Sequence, residues 1–133
     1  MTDPRDTLYA DPLSEHGLFT FDDSVARVFP DMIKRSVPGY PTIVSMTGLL
    51  AGRYAIANST VYDLGCSLGA STLAMRQHIR QSGCRIVSVD NSSAMLERCR
   101  NVVAATTHTA DSADHPAVDL VLADLQDVAI ENA

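Results

Sequence analysis

The stretch TVYDLGCSLG at residues 60–69 constrains the fold of this chain more than any other feature. A β-branched and aromatic run ends in an acid, and a turn of small residues with two glycines follows it. This order predicts a strand, a tight loop and the start of a helix. Gly65 and Gly69 allow the main chain to approach a ligand closely, and the strand end presents backbone N–H groups to that ligand. The stretch therefore predicts a binding site for a nucleotide-like molecule.

Composition limits the classes of protein to which the chain can belong. Its 133 residues, 46% hydrophobic and 20% charged, are enough for one domain with a packed core. The net charge of −6 and the absence of a Lys/Arg cluster argue against direct nucleic-acid binding. No run of about 20 apolar residues could span a bilayer, and the acidic N-terminus has no signal-peptide core. We therefore expect a cytoplasmic protein without a membrane partner.

The cysteine pattern indicates neither a disulfide framework nor a zinc site. Three cysteines are an odd number, and none of them has CxxC spacing: Cys66, Cys84 and Cys99. Of the histidines, His78, His108 and His115 lack partners at metal or triad spacing, so we expect them at the surface. No metal is predicted.

Two segments are predicted to precede the α/β region. Residues 1–20 contain prolines and acids without helical or strand periodicity, which indicates an irregular leader. Residues 21–58 are predicted to form a helical cap. Its first helix is capped by Asp22 or Asp23 and ends before Pro30, Asp31 caps a further turn, and VPGYP at 37–41 breaks the chain.

A longer helix is predicted from Pro41 to near Asn58. Residues recur in it at intervals of three and four, which is typical of an amphipathic helix: Ile43, Met46, Thr47, Leu50 and Tyr54.

After the cap, strands and helices alternate. Strands are predicted over 61–64, 85–89 and 118–123, with helices over 71–82 and after a cap at Asn91 or Ser92. With right-handed crossovers, this order is half of a doubly wound parallel α/β sheet. Residues 59–133 are therefore predicted to be the first half of a Rossmann-like domain, truncated after its third strand because only nine residues follow Asp124.

Three acids lie at equivalent places in this pattern: Asp63, Asp90 and Asp124. Ligands of open α/β folds bind at the carboxyl ends of the strands, where all three are predicted to lie. Asp90 is placed to bind the two hydroxyls of a ribose. Asn91 can add an amide contact to the ribose or adenine, and Asp124 lies near the adenine amino group. Asp63 either fixes the glycine turn or contacts the ligand.

Ser67 separates two classes of ligand. A dinucleotide fingerprint has glycine at this position so that the backbone can approach a pyrophosphate. S-adenosyl-L-methionine has no phosphate and presents an amino-acid group there, which a hydroxyl and backbone N–H groups suit. The turn therefore favours S-adenosyl-L-methionine over NAD.

The chain as a whole resembles the N-terminal half of the carboxy-S-adenosyl-L-methionine synthase family, which is similar to class I methyltransferases. The resemblance runs from about Asp6 to Ala133. It lies in RDTLYADP, FTFDDSVARVFPDMIKRSVPGY, VYDLGCSLGAST, VDNSSAMLERCR and the closing AIENA. Generic methyltransferases share only the glycine turn and the acid after the second strand.

The resemblance implies an enzyme that converts S-adenosyl-L-methionine and prephenate to carboxy-S-adenosyl-L-methionine and phenylpyruvate. The product would serve a separate enzyme that modifies a tRNA wobble uridine to the 5-oxyacetic acid. The family also leads us to expect a homodimer of the full-length protein. Carried onto this sequence, the cofactor contacts are Tyr40, Gly65, Cys66, Ser67, Asp90, Asn91, Asp124 and Leu125, and no catalytic residue is identified.

The family takes further contacts from a half that this sequence lacks: an asparagine, and an arginine that binds the added carboxylate. We therefore expect the 133 residues to be inactive alone. Two alternatives stay open, namely an ordinary S-adenosylmethionine-dependent methyltransferase and a non-catalytic nucleotide-binding or interaction module.

Overall fold

The computed structural model describes residues 21–106, 114–131 and 133. The interpretation of residues 1–20 as a leader and the prediction for His108 lie outside these ranges. Seven helices and strands and one 3₁₀ turn follow one another in the described chain: α1 (Asp23–Ser36), α2 (Tyr40–Tyr54), β1 (Thr60–Leu64), α3 (Ala70–His78), β2 (Arg85–Asp90), α4 (Ser93–Thr106), β3 (Ala117–Leu122) and the turn Leu125–Asp127.

The three strands form one parallel sheet in the order β1-β2-β3. Asp63 of β1 lies opposite Ser88 of β2, and Asp90 lies opposite Leu122 of β3. The predicted alternation of strands and helices in a parallel sheet is confirmed. Because the strands are parallel, their carboxyl ends lie along one edge.

The predicted end of the first helix before Pro30 is wrong. The helix continues through Pro30 to Ser36, and the Asp22 side chain caps it by accepting a hydrogen bond from the Val25 N–H over 3.1 Å. Proline removes one helical hydrogen bond. Burial of the apolar face of α1 favours the continuous helix, since Val25, Ala26 and Phe29 pack with Met95 of α4.

Helix α2 begins at Tyr40 and ends at Tyr54, four residues before the predicted end. It packs on α3 through small residues rather than through its large apolar ones. A Cβ on Gly48 would lie 2.6 Å from the Ala74 carbonyl oxygen, and one on Gly52 would lie 2.7 Å from that of His78. Glycine at these two positions therefore lets the backbones of α2 and α3 approach closely.

The large apolar residues of α2 are consequently exposed in the described structure. The exposed fractions are 55% for Ile43, 48% for Met46, 49% for Leu50 and 67% for Tyr54. A helix of a globular protein is expected to bury such a stripe, so the sequence pattern identified the helix but not the surface that packs.

Helix α3 is shorter than predicted, since it ends at His78 rather than at 82. Ile79 takes an extended conformation, with φ −70° and ψ 124°, and its side chain is fully buried. It packs with Met75, Cys84 and Ile86 in a cluster between α3 and β2. Burial of Ile79 thus outweighs continuation of the helix. Among the described helices, none has the length and apolar character to cross a bilayer.

Candidate functional site

The glycine turn after β1 is anchored to the neighbouring strand. The backbone N–H groups of Gly65 and Cys66 both donate to the Val89 carbonyl oxygen, over 2.8 and 2.9 Å. Gly65 has φ +82° and Ser67 φ +49°. A Cβ on Gly65 would meet no other atom within 4 Å, so open space borders the turn at this point. The positive φ angle explains the glycine, and the open space leaves room for a ligand.

Asp90 joins this turn to the start of α4. Its Oδ2 accepts a hydrogen bond from the Ser67 N–H, and its Oδ1 accepts one from the Ser92 N–H, both over 2.9 Å. A carboxylate has about four acceptor positions, so each oxygen can accept a further hydrogen bond from a ligand hydroxyl. Asp90 therefore shapes the loop and keeps capacity for a ligand.

Asn91 and Asp124 meet across the ends of β2 and β3. The Asn91 Nδ2 donates to the Asp124 Oδ1 over 2.9 Å, and both side chains are exposed. This contact leaves the amide oxygen of Asn91 and acceptor positions of Asp124 for a ligand. Leu125 follows Asp124 in the 3₁₀ turn and is 52% exposed. Polar and apolar surface are thus adjacent at this part of the edge.

Asp63 lies behind the turn and bonds to α3. Its Oδ2 accepts a hydrogen bond from the Thr72 hydroxyl over 2.6 Å. Burial raises the pKa of the Asp63 carboxyl, hydrogen bonds from Thr72 oppose that rise, and the Asp90 carboxylate adds to it. Burial also raises the pKa of the half-buried Tyr40 hydroxyl, and the nearby charge of Asp63 raises it further. Tyr40 and Asp63 therefore belong to one electrostatic environment.

Cys66 is buried, and its thiol lies near that of Cys99 on α4. A hydrogen bond to Cys99 and burial raise the pKa of the Cys66 thiol, which keeps it neutral. Within the turn, Cys66 therefore offers its backbone and an uncharged side chain rather than a thiolate.

Several other candidates have structural partners. Asp22 caps α1, as predicted. The Nδ1 atom of His78 lies 2.8 Å from the Ala74 carbonyl oxygen, and that of His115 lies 2.9 Å from the Arg76 carbonyl oxygen. His78 and His115 are half-buried, so they are less exposed than the predicted surface location implies. In the part of the chain that the structure describes, no three His, Cys, Asp or Glu side chains are grouped to hold a metal ion.

Two buried hydroxyls beside Asp63, those of Thr72 and Ser88, were not among the predicted site residues. Thr72 and Ser88 have no exposed surface, and their hydroxyl oxygens are 2.6 Å apart. A signal was present, since Ser88 is the single polar residue inside the apolar run IVSV of β2. A buried polar side chain requires a hydrogen-bond partner, and Thr72, in the first turn of α3, supplies it.

Carboxy-S-adenosyl-L-methionine synthases from several bacteria are similar to nearly the whole chain. The Vibrio cholerae serotype O1 protein is 55% identical over 130 residues, which cover 98% of this chain and 50% of the relative. The Aliivibrio salmonicida protein is 56% identical over 128 residues, or 96% of this chain and 50% of the relative. The Yersinia pestis protein is 55% identical over 129 residues, or 97% of this chain and 46% of the relative.

The chain spans about half the length of these curated relatives and matches their N-terminal half. The predicted resemblance is therefore confirmed. No protein-family model matches the chain.

A solved structure supports the fold. The crystal structure of a candidate S-adenosyl-L-methionine-dependent methyltransferase from Methanococcus maripaludis matches with a TM-score of 0.59 and 23% identity. The match covers 90% of this chain and 49% of that protein. At this identity the match shows the fold alone, and it confirms the predicted partial Rossmann-like fold of the methyltransferase type.

Proposed function

We propose that this chain binds S-adenosyl-L-methionine at the carboxyl edge of its sheet and is the cofactor-binding half of a carboxy-S-adenosyl-L-methionine synthase. The observation that carries the proposal is the double hydrogen bonding of Asp90, which fixes the glycine turn and the start of α4 around one carboxylate. The chain is also 55% identical to synthases with that name, which supports S-adenosyl-L-methionine as the ligand.

The residues at the edge suit the parts of this molecule. The Asp90 carboxylate accepts hydrogen bonds from the ribose hydroxyls through its remaining acceptor positions. Asp124 accepts a hydrogen bond from the adenine amino group, the amide of Asn91 contacts the ribose or the adenine edge, and Leu125 offers apolar surface to the base. The open space beside Gly65 receives the amino-acid part. The N–H groups of Gly65, Cys66 and Ser67 already donate within the protein, so the turn offers carbonyl oxygens and the Ser67 hydroxyl to the ligand rather than the predicted N–H groups. The proposed contacts are Tyr40, Gly65, Cys66, Ser67, Asp90, Asn91, Asp124 and Leu125.

Ser67 supports S-adenosyl-L-methionine over a dinucleotide. In a dinucleotide site, the residue at this position is a glycine that lets the backbone approach the pyrophosphate. Here a serine holds a positive φ angle, and Asp90 occupies its N–H group. S-adenosyl-L-methionine has no phosphate, so it does not need the close approach of the backbone that a glycine at this position allows.

The proposed reaction uses prephenate as the second substrate and releases phenylpyruvate and carboxy-S-adenosyl-L-methionine. S-adenosyl-L-methionine supplies a methyl carbon that its positive sulfur activates. The chain binds and orients that molecule, and its buried Cys66 and half-buried Asp63 border the site on the side of the protein interior. A separate enzyme would use the product to modify a tRNA wobble uridine.

We also propose that the 133 residues do not complete the reaction alone. The chain spans half of its relatives, and the resemblance implies that an arginine for the added carboxylate comes from the other half. Guanidinium binds a carboxylate through two parallel hydrogen bonds. Without that group, the chain would bind S-adenosyl-L-methionine but would not recognise the carboxylated product.

A chimera tests the proposal. These 133 residues would replace the matching half of the Vibrio cholerae relative, and the chimera would be incubated with S-adenosyl-L-methionine and prephenate. We expect mass spectrometry to detect carboxy-S-adenosyl-L-methionine with the chimera but not with the 133-residue chain. A folded chimera that forms no carboxylated product would contradict the proposed reaction, and methylation of a substrate instead would favour the ordinary methyltransferase.

A further inference from the structure

A chain of buried hydroxyls connects Asp63 to the interior of the sheet. Asp63 and Ser88 are opposite each other on β1 and β2, so their side chains lie on the same face. Thr72, in the first turn of α3, lies over both of them. Its hydroxyl oxygen is 2.6 Å from the Asp63 Oδ2 and 2.6 Å from the Ser88 hydroxyl oxygen.

The chemistry of the three groups sets the direction of these hydrogen bonds. An ionised carboxylate accepts only, so the Thr72 hydroxyl donates its single proton to Asp63. Thr72 can then only accept from Ser88, which makes Ser88 the donor. The two hydroxyls thus deliver one oriented hydrogen bond to the carboxylate from a place that water does not reach, since neither residue has exposed surface.

Asp63 needs such a bond because its surroundings disfavour its charge. Burial raises the pKa of its carboxyl, and the Asp90 carboxylate at the end of β2 raises it further. The other titratable groups that face Asp63 are the hydroxyl of Tyr40 on α2 and the thiols of Cys66 in the turn and Cys99 on α4. None of these groups carries a positive charge, and the Thr72 bonds are the contacts that lower the pKa of Asp63.

We propose that Thr72 and Ser88 are positioning residues, which hold the Asp63 carboxylate charged and oriented behind the glycine turn so that it attracts the cationic S-adenosyl-L-methionine. This inference rests on the proposed function. It adds to that function two residues that do not touch the ligand, and it predicts how binding depends on pH. Asp63 attracts a cation only when it is ionised, so affinity falls as the pH falls through its pKa. Loss of the Thr72 hydroxyl raises that pKa, and affinity is then lost at a higher pH.

The test compares two substitutions at Thr72 in the 133-residue chain. Thr72→Val removes the hydroxyl at nearly constant shape, and Thr72→Ser keeps the hydroxyl. The titration of the Asp63 carboxyl carbon would be followed by NMR, and the affinity for S-adenosyl-L-methionine by calorimetry between pH 5 and pH 8. We expect Thr72→Val to move the Asp63 midpoint to higher pH and to weaken binding about ten-fold at the acidic end, with a smaller loss at pH 8. Thr72→Ser should behave like the unsubstituted chain.

Three results would overturn the inference: an unchanged Asp63 midpoint in Thr72→Val, an equal loss of affinity at every pH, or a Thr72→Ser variant that behaves like Thr72→Val. If Thr72→Val does not fold, Ser88→Ala removes the next hydroxyl of the chain and should move the midpoint in the same direction by less. The failure of the proposed function looks different. In that case the unsubstituted chain binds no S-adenosyl-L-methionine at any pH, while the NMR midpoint still separates Thr72→Val from Thr72→Ser.

Discussion

The Asp90 carboxylate, at the end of β2, accepts a hydrogen bond over 2.9 Å from the backbone N–H of Ser67, in the turn after β1. Ser67 has a positive φ angle, which costs a non-glycine residue about 1–2 kcal/mol. The hydrogen bond helps to offset this cost. The acid proposed to bind the ribose therefore also holds the turn proposed to bind the amino-acid part, and loss of Asp90 should affect both.

Tyr40 and Tyr54 lie at opposite ends of α2 and form a matched pair for substitution. Tyr40 is half-buried near Asp63, whereas Tyr54 is 67% exposed. If Tyr40 contacts the ligand, Tyr40→Ala should weaken binding of S-adenosyl-L-methionine by roughly ten-fold, or about 1.4 kcal/mol. Tyr54→Ala should leave the dissociation constant within about two-fold. Calorimetry measures the dissociation constant of both variants. Equal weakening by the two substitutions would show that Tyr40 does not contact the ligand.

Gly48→Ala should destabilise the chain by about 1–3 kcal/mol, because the new methyl group would lie 2.6 Å from the backbone carbonyl oxygen of Ala74. A backbone atom cannot move aside as a flexible side chain can. Ser45→Ala, on an exposed position of the same helix, serves as the control and should change the free energy of unfolding by less than about 0.5 kcal/mol. Urea unfolding followed by circular dichroism measures both. Equal stability of the two variants would show that α2 and α3 are not packed through this glycine.

Asp63→Asn should stabilise the fold at neutral pH while it weakens binding. Burial raises the pKa of the Asp63 carboxyl above its value in the unfolded chain. The stabilising effect of this carboxyl is therefore full below the unfolded pKa and is lost as the pH rises through the folded one. At pH 7 the ionised Asp63 carboxyl lowers the free energy of unfolding, and the neutral asparagine removes this loss.

The stability gain of Asp63→Asn should disappear as the pH falls below the ordinary aspartate range. Thermal unfolding at several pH values measures it, with Asp127→Asn on the exposed 3₁₀ turn as the control. A variant that is less stable than the unsubstituted chain at pH 7 would contradict the account of the Asp63 environment.

Much of the α/β region was predictable because its signals are local. The run TVYDL and the glycines after it specify a strand and a turn through residues adjacent in sequence, and Asp90 marks the end of the second strand in the same way. The parallel arrangement then follows from the alternation of strands and helices. The acids at the strand ends consequently meet at one edge without any need for long-range information.

The errors arose where packing between distant residues outweighs local preference. Pro30 predicts a helix end, but burial of Val25 and Phe29 keeps α1 continuous. Ile79 fits a helical pattern, yet its burial against Ile86 ends α3 early. Such contacts join residues far apart in sequence, so no local pattern contains them.

The residue types of the candidate site could be predicted from the sequence, but the hydrogen bonds that join those residues could not. The sequence pointed to Asp90 and Ser67 as separate ligand contacts, whereas the structure joins them by a hydrogen bond. It gave no reason to select Thr72, whose role depends on α3 crossing above Asp63 and Ser88. Hydrogen bonds between elements require the tertiary arrangement, which residue types alone do not supply.

Calorimetric titration of the 133-residue chain with S-adenosyl-L-methionine, for Asp90→Asn and Asp119→Asn beside the unsubstituted protein, tests the central claim most directly. Asp119 lies within β3, where it pairs with Arg85 at the start of β2, away from the carboxyl ends of the strands, and it is the matched control. We predict that the chain binds S-adenosyl-L-methionine and that Asp119→Asn binds it equally well. Asp90→Asn should bind it at least ten-fold more weakly, because hydrogen bonds to a charged group contribute about 1.5–3 kcal/mol. Undiminished binding by a folded Asp90→Asn variant, or no binding by the unsubstituted chain, would contradict the account.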